Sequence, residues 1–241
     1  MSDVMNKRRA VIVDARINAA CEAALRERGF EVIKAQPSPF LPTPVASHPD
    51  MLFFVGKGHL VCEKRYFNSF EADIRRIALV GGLRVTVTDE ETGEKYPGDV
   101  LFNAAPIGEY LICRRASTSS HILKLYDEDK IINVKQGYAK CSTCTVGDSG
   151  IITADASIAS AASRAGADIL LLREHGVALE GYGCGFIGGA SGDDGENIYF
   201  CGNAELHPEY ENIKSFCEKH SRGCVSLSDS PLYDYGTLVF I

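Results

Sequence analysis

Apolar residues in this chain come in short runs separated by glycine-rich turns, and the runs recur in a fixed order. The clearest copy lies between Tyr138 and Gly183. Residues 141–146 are small and strand-forming, and Gly147-Asp148-Ser149-Gly150 has turn chemistry. Ile151-Ile152-Thr153 is a second strand, so the pair reads as a β-hairpin. A small-residue helix is predicted over 157–165, with Asp155 or Ser157 as its cap and Gly166 as its stop. Residues 169–172 form a continuous apolar run, the pattern expected of a strand buried on both faces.

The same order of parts returns along the chain. Hairpins are predicted at 51–55 with 60–62, at 100–102 with 110–113 and at 186–187 with 198–201, the last turning through 191–195. Each leads to a helix: 67–80 with Phe70, Ile74 and Ile77 on one face, 117–126 with Ile122 and Leu125, and 208–220 with Ile213, Phe216 and Cys217. Third strands follow at 83–87, 131–134 and 224–227. The ends hold the two halves of one more unit. Residues 237–241 make a first strand, 10–13 a second, 18–27 a helix capped by Asn18, and 30–33 a third strand.

Openings of the units fall at His48, Tyr96, Tyr138, Tyr182 and Tyr233, spaced 42–51 residues apart. One such unit cannot cover its own sheet, so neighbours must do so. Terminal half-units in place of capping units predict a closed ring. The expected fold is therefore α/β, a five-fold pseudo-symmetric propeller closed by pairing of the C-terminal strand with the N-terminal strand. It would be a single domain over 1–241 with blades near 48–95, 96–137, 138–181, 182–232, and 233–241 joined with 10–47. The linker 36–47, with four prolines, reads as a surface connector.

Composition narrows the function. A formal charge of -7 argues against binding that rests on phosphate neutralisation, so no nucleic-acid partner is expected. No apolar run is long enough to span a bilayer, so no membrane partner is expected either. Segment 1–9 has no apolar stretch after its basic residues and does not read as a secretory signal. The nine cysteines are scattered and odd in number, which points to reduced thiols and a cytoplasmic location.

Five such units with an opening His48-Pro49-Asp50-Met51-Leu52-Phe53 resemble the pentein superfamily of guanidino-group-modifying enzymes, and within it an uncharacterised bacterial branch. That superfamily includes arginine deiminases, amidinotransferases and dimethylarginine hydrolases, and one non-catalytic member, the ribosome-binding translation initiation factor six. The resemblance implies a site on the axis where openings converge. There a Cys attacks the guanidinium carbon, a His moves protons and carboxylates hold the planar cation. It assigns His48 and Asp50 to catalysis, and two residues apart on a strand would face the same side. Cys184, between glycines at the fourth opening, is the expected nucleophile, with Cys141, beside Lys140, as its rival. Asp99, Lys140, Cys141 and Tyr182 are the candidate substrate-binding residues, with Asp234 a further carboxylate near an opening. The resembled enzymes keep their catalytic Cys near the C-terminus, whereas 236–241 holds none.

Cys141-Ser142-Thr143-Cys144 has Cys-x-x-Cys spacing without a second pair, and on a strand its thiols would point apart. No metal and no cofactor are expected. Cys62, Cys113 and Cys201 share one place in the repeat and read as core fillers. Two functions stand side by side. One is a hydrolase or transferase acting on a small guanidino- or amidine-like molecule, an amidinohydrolase or deiminase by type. The other is a non-catalytic module that binds a small molecule or a protein.

Overall fold

Five three-stranded sheets carry the chain, one for each set of apolar runs. A computed structural model describes residues 10–241; segment 1–9, with the expectation made for it, lies outside the described residues. The N-terminal pieces are β1 (Ala10–Asp14), α1 (Ala19–Glu27) and β2 (Glu31–Ala35). Next come α2 (Pro49–Leu52), β3 (Phe53–Gly56), β4 (His59–Glu63), α3 (Lys64–Ser69), α4 (Glu71–Gly81) and β5 (Arg84–Thr88). The following unit holds β6 (Ala105–Ile107), β7 (Tyr110–Cys113), α5 (Ser120–Leu123) and β8 (Ile131–Asn133). Then come β9 (Cys144–Val146), β10 (Gly150–Thr153), α6 (Ala156–Arg164) and β11 (Asp168–Leu171). Last are β12 (Ser191–Asp193), β13 (Asn197–Phe200), α7 (Tyr210–Lys219), β14 (Gly223–Ser226) and β15 (Val239–Phe240).

Every sheet has one topology: first strand antiparallel to the second, second parallel to the third. The split unit obeys it. β15 pairs with β1, placing Ile12 opposite Val239, and β1 pairs with β2. Local chemistry starts the helices: the Asn18 side chain accepts from the Cys21 amide at 2.8 Å, and Asp155 accepts from Ser157 and Ile158.

Five apolar clusters lie between neighbouring sheets. Ile12 and Ile33 pack with Leu60 and Ile74. Phe54 and Val61 pack with Phe102 and Leu111, and Ile112 with Ile151 and Ile158. Val146 and Ile152 pack with Ile198 and Phe200, and Tyr199 and Leu227 pack with Val11 and Leu25. Each sheet thus contributes residues to two of the five clusters. Cys62, Cys113 and Cys201 are all buried within these clusters. No helix among the described residues is long and apolar enough to cross a membrane.

Several boundaries differ from the sequence reading. First strands begin later than predicted: β3 at Phe53, β6 at Ala105, β9 at Cys144 and β12 at Ser191. The apolar residues Met51, Leu52, Val100, Phe102 and Ile187 are buried, but in turns before the strands. A short apolar run reports burial, not conformation. The helix predicted over 67–80 is two helices broken at Phe70, whose φ is -134°. The run 169–172 is not buried on both faces: β11 is an outer strand, and Leu171 is 46% exposed.

Candidate active site

The segments that lead into the five first strands meet one another. Pro49 occupies a first helical position, so 48–52 coils into α2 instead of extending. This corrects the expectation that His48 and Asp50 share one face of a strand. Likewise 139–142 is a turn, with the Ser142 amide bonded to the Tyr138 carbonyl at 2.9 Å, not the start of a strand. Cys141 therefore turns away from Cys144, which lies in the core beside Val146 and Ile152.

Hydrogen bonds run from opening to opening. The Asp50 amide donates to the Gly236 carbonyl (3.2 Å), and Asn103 Nδ2 to the Asp50 carbonyl (3.3 Å). The Lys140 amide donates to Asn103 Oδ1 (2.7 Å), the Gly189 amide to the Cys141 carbonyl and the Thr237 amide to the Gly189 carbonyl (2.9 Å each). The circuit visits all five openings and comes back to Asp50. Thr237 holds φ at +72°, a conformation unfavourable for a β-branched residue, and its hydroxyl faces Asp50.

Within this circuit lies the side-chain cluster. The Cys141 thiol donates to Asp50 Oδ2 at 3.1 Å and accepts from Asn103 Nδ2 at 3.1 Å. Thr237 Oγ1 lies 2.8 Å from the same Asp50 oxygen and 3.0 Å from the Gly188 carbonyl. Ligand atoms of His48, Asp50 and Cys141 all lie within 4.8 Å of one another. Both His48 ring nitrogens and Asp50 Oδ1 are buried without a hydrogen-bond partner. His48 stands between two carboxylates, with Nε2 3.7 Å from Asp14 and Nδ1 3.8 Å from Asp234. Gly236, at φ +69°, backs onto the imidazole, and any side chain there would strike it.

Electrostatics follow from burial. Burial first, then the Asp50 and Asp234 carboxylates, push the Cys141 thiol well above its ordinary value, so at rest it is protonated. Burial also raises Asp234 to about 6, against the opposing pull of His48 and of the Gly236 and Phe186 amides. For Asp14, burial is outweighed by bonds from Arg16 and Ser47, and the carboxyl sits below its usual range. Desolvation lowers the Lys140 ammonium, with Asp50 opposing.

Above the cluster is a cavity of about 260 Å³. Its floor is His48, Cys141 and Asp234; its walls include Tyr138, Phe186, Leu179, Tyr182 and Cys184. A second cavity, of about 170 Å³, touches the floor at Asp50, Lys140 and Thr237 and is lined by residues of all five first strands, among them Val55, Pro106, Thr145, Asp193 and Phe240.

Of the residues singled out in the sequence, His48, Asp50 and Cys141 come together. Cys184 is half-buried in the cavity wall, outside the close cluster, and Tyr182 is 43% exposed beside it. Lys140 is half-buried in the lower cavity, its ammonium 3.5 Å from the Thr143 carbonyl. Asp99 is buried behind the wall and accepts from the Tyr138 hydroxyl at 2.6 Å.

Asn103, Thr237 and Asp14 carried no recognised signal. For Asp14 one exists. Asp14-Ala15-Arg16 and Glu63-Lys64-Arg65 both put an acid at the end of an apolar second strand with its arginine two residues on, and both acids are buried and bound by that arginine.

A family model described as "Family of unknown function (DUF6873)" matches residues 12–239. No curated protein matches the sequence. Among solved structures, a cysteine-to-serine mutant of DDAH from Pseudomonas aeruginosa, complexed with citrulline, is similar over 91% of this chain and 92% of that one, with a TM-score of 0.58 and 9% identity. SxtG, an amidinotransferase from Microseira wollei in the saxitoxin biosynthetic pathway, is similar over 91% and 88%, with a TM-score of 0.50 and 14% identity. At such identities the likeness is one of fold, and the fold is that of the pentein superfamily.

Proposed function

The chain belongs to the DUF6873 family, and from that premise we propose that it is a pentein-type enzyme acting on a small guanidino- or amidine-like cation, with Cys141 as nucleophile. The observation that carries this is the convergence of Cys141, His48 and Asp50 beneath an aromatic-walled cavity. The reading takes the five sheets as the blades of one closed propeller domain, supported by the cyclic succession of interfaces and by the β15–β1 pairing. Nine free cysteines fit a reducing compartment such as the cytoplasm.

A planar cation suits this site. Tyr138, Tyr182 and Phe186 line the cavity with aromatic rings, and Asp234 at its floor would offer carboxylate oxygens to its N–H groups. Its charge offsets the carboxylates that hold the thiol proton on, so Cys141 ionises when the substrate is bound. The thiolate then attacks the central carbon. The thiol proton passes to His48 and on to the departing nitrogen as the C–N bond breaks. Water, deprotonated by His48, attacks the S-amidino intermediate, the C–S bond breaks, and the thiol recovers its proton. The balance is guanidinium plus water to a ureido product plus ammonium. In a transferase an amine would replace water. One structurally similar protein holds citrulline, itself a ureido compound.

The test is labelling by a haloacetamidine, whose amidinium is bound before its carbon alkylates a thiol, with ammonia release followed over a panel of guanidino compounds. Selective alkylation of Cys141 and turnover lost in Cys141→Ser support the reading. Even alkylation of the nine thiols with no turnover refutes it. A second reading has its own observation: the Cys141 thiol both donates and accepts, as a structural residue would. In that case the cavity binds its cation without reaction.

A further inference from the structure

We propose that His48, Asp50 and Cys141 bind one divalent transition-metal ion, zinc by preference, at the floor of the cavity. Three observations support this independently of the enzymatic reading. The first is the donor set, one imidazole nitrogen, one carboxylate oxygen and one sulfur, already within 4.8 Å of one another. Tetrahedral zinc with bonds of about 2.0–2.3 Å needs donors roughly 3.4–3.7 Å apart, a contraction of about an ångström that rotamer shifts can supply. The second is want of partners. His48 Nδ1, His48 Nε2 and Asp50 Oδ1 are buried polar atoms with no hydrogen bond. Such atoms are costly to leave unsatisfied, and one metal ion would satisfy one ring nitrogen and the Asp50 oxygen.

The third is the surroundings. Whichever ring nitrogen takes the metal, the other faces a carboxylate, Asp14 at 3.7 Å or Asp234 at 3.8 Å. A short approach turns either into the carboxylate–histidine–metal arrangement that fixes the tautomer and strengthens the ligand. His48 and Cys141 line the cavity, so a fourth coordination position would open on it, as at a site that exchanges ligands. A mixed nitrogen, oxygen and sulfur set favours zinc or cobalt over calcium or magnesium, which take oxygen. Binding displaces the thiol proton: the S–H bond breaks, the metal–sulfur bond forms and one proton is released per ion. The dication then balances one carboxylate and one thiolate. A bound ion occupies the atoms that catalysis would use, so metal and guanidino cation exclude each other.

The experiment uses the whole protein, stripped of metal and titrated with zinc and with cobalt under reducing conditions. Expected are one zinc per chain, one proton released per zinc and a near-ultraviolet thiolate-to-cobalt charge-transfer band. Loss of a direct ligand in Cys141→Ser or His48→Gln weakens zinc by more than about 100-fold, and one of Asp14→Asn and Asp234→Asn, whichever carboxylate faces the free ring nitrogen, by about 10–100-fold. Cys217→Ser leaves binding unchanged. Absence of the cobalt band in the unmodified protein, or unaltered affinity in Cys141→Ser, overturns the proposal, and the first of these needs no variant to fold. Haloacetamidine labelling separates the two readings. Alkylation of Cys141 without a cobalt band leaves the enzyme and removes the metal site; a band without alkylation does the reverse.

Discussion

Asn103 is the residue whose removal tests the architecture most directly. Its amide joins three openings: Oδ1 accepts from the Lys140 amide at 2.7 Å and the Cys141 amide at 3.3 Å, and Nδ2 faces the Asp50 carbonyl and the Cys141 sulfur. The side chain has no exposure to solvent. Asn103→Ala leaves two buried amides without an acceptor. An orphaned buried donor costs about 1–3 kcal/mol, so the short Lys140 bond accounts for about 2 kcal/mol and the long Cys141 bond for about 1 kcal/mol. A loss of about 3 kcal/mol corresponds to a fall in Tm of roughly 6–12 °C for a chain of this size. The measurement is urea unfolding followed by far-ultraviolet circular dichroism, paired with thermal melts. Asn103→Asp is the control. It keeps the acceptor for both amides, loses the donor, and sets a second carboxylate against the thiol. It should be less destabilised than Asn103→Ala at acid pH, where it is protonated. A loss below about 0.5 kcal/mol in Asn103→Ala, the level of an ordinary surface change, would show that the circuit does not join the openings.

Three further outcomes follow from the same geometry. Tyr138→Phe leaves Asp99 buried with neither oxygen bonded, since Oδ1 already lacks a partner, and should cost about 1.5–3 kcal/mol in denaturant unfolding; adding Asp99→Asn should recover part of it. Asp234 has its folded pKa raised from 3.8 to about 6, by burial foremost and Asp50, with His48 opposing. Its contribution to stability is therefore full below pH 3.8 and is lost as pH rises through about 6, so Asp234→Asn should flatten that part of the stability–pH curve. Cys141→Ser should abolish selective haloacetamidine labelling, while Cys184→Ser should leave it in place; labelling that follows Cys184 would return the nucleophile to the cavity wall.

The repeat was legible because glycine turns, caps and apolar runs obey local rules. Asn18 and Asp155 cap their helices where the sequence places them, and Ile12 meets Val239 across the split sheet. The openings obeyed no such rule. Met51 and Leu52 look like strand residues, yet Pro49 coils them into a helical turn. Cys141 follows a similar logic: once 139–142 turns, its thiol faces Asp50 and not a strand neighbour. Which side chains point inward there depends on bonds between segments far apart in sequence, as Thr237 to Asp50 shows across 187 residues. Periodicity carries no information on such pairs. Asn103, in a short turn without pattern, therefore gave no hint that it would hold Cys141 in place.

That same long-range tie has a kinetic consequence. Joining Thr237 to Asp50 closes a detour of 187 residues, and contacts of such separation are slow to form. The chamber floor is then a late product of folding. A partly assembled chain can hold most of its sheets yet offer no competent pocket, so ligand occupancy would report that folding has run to completion.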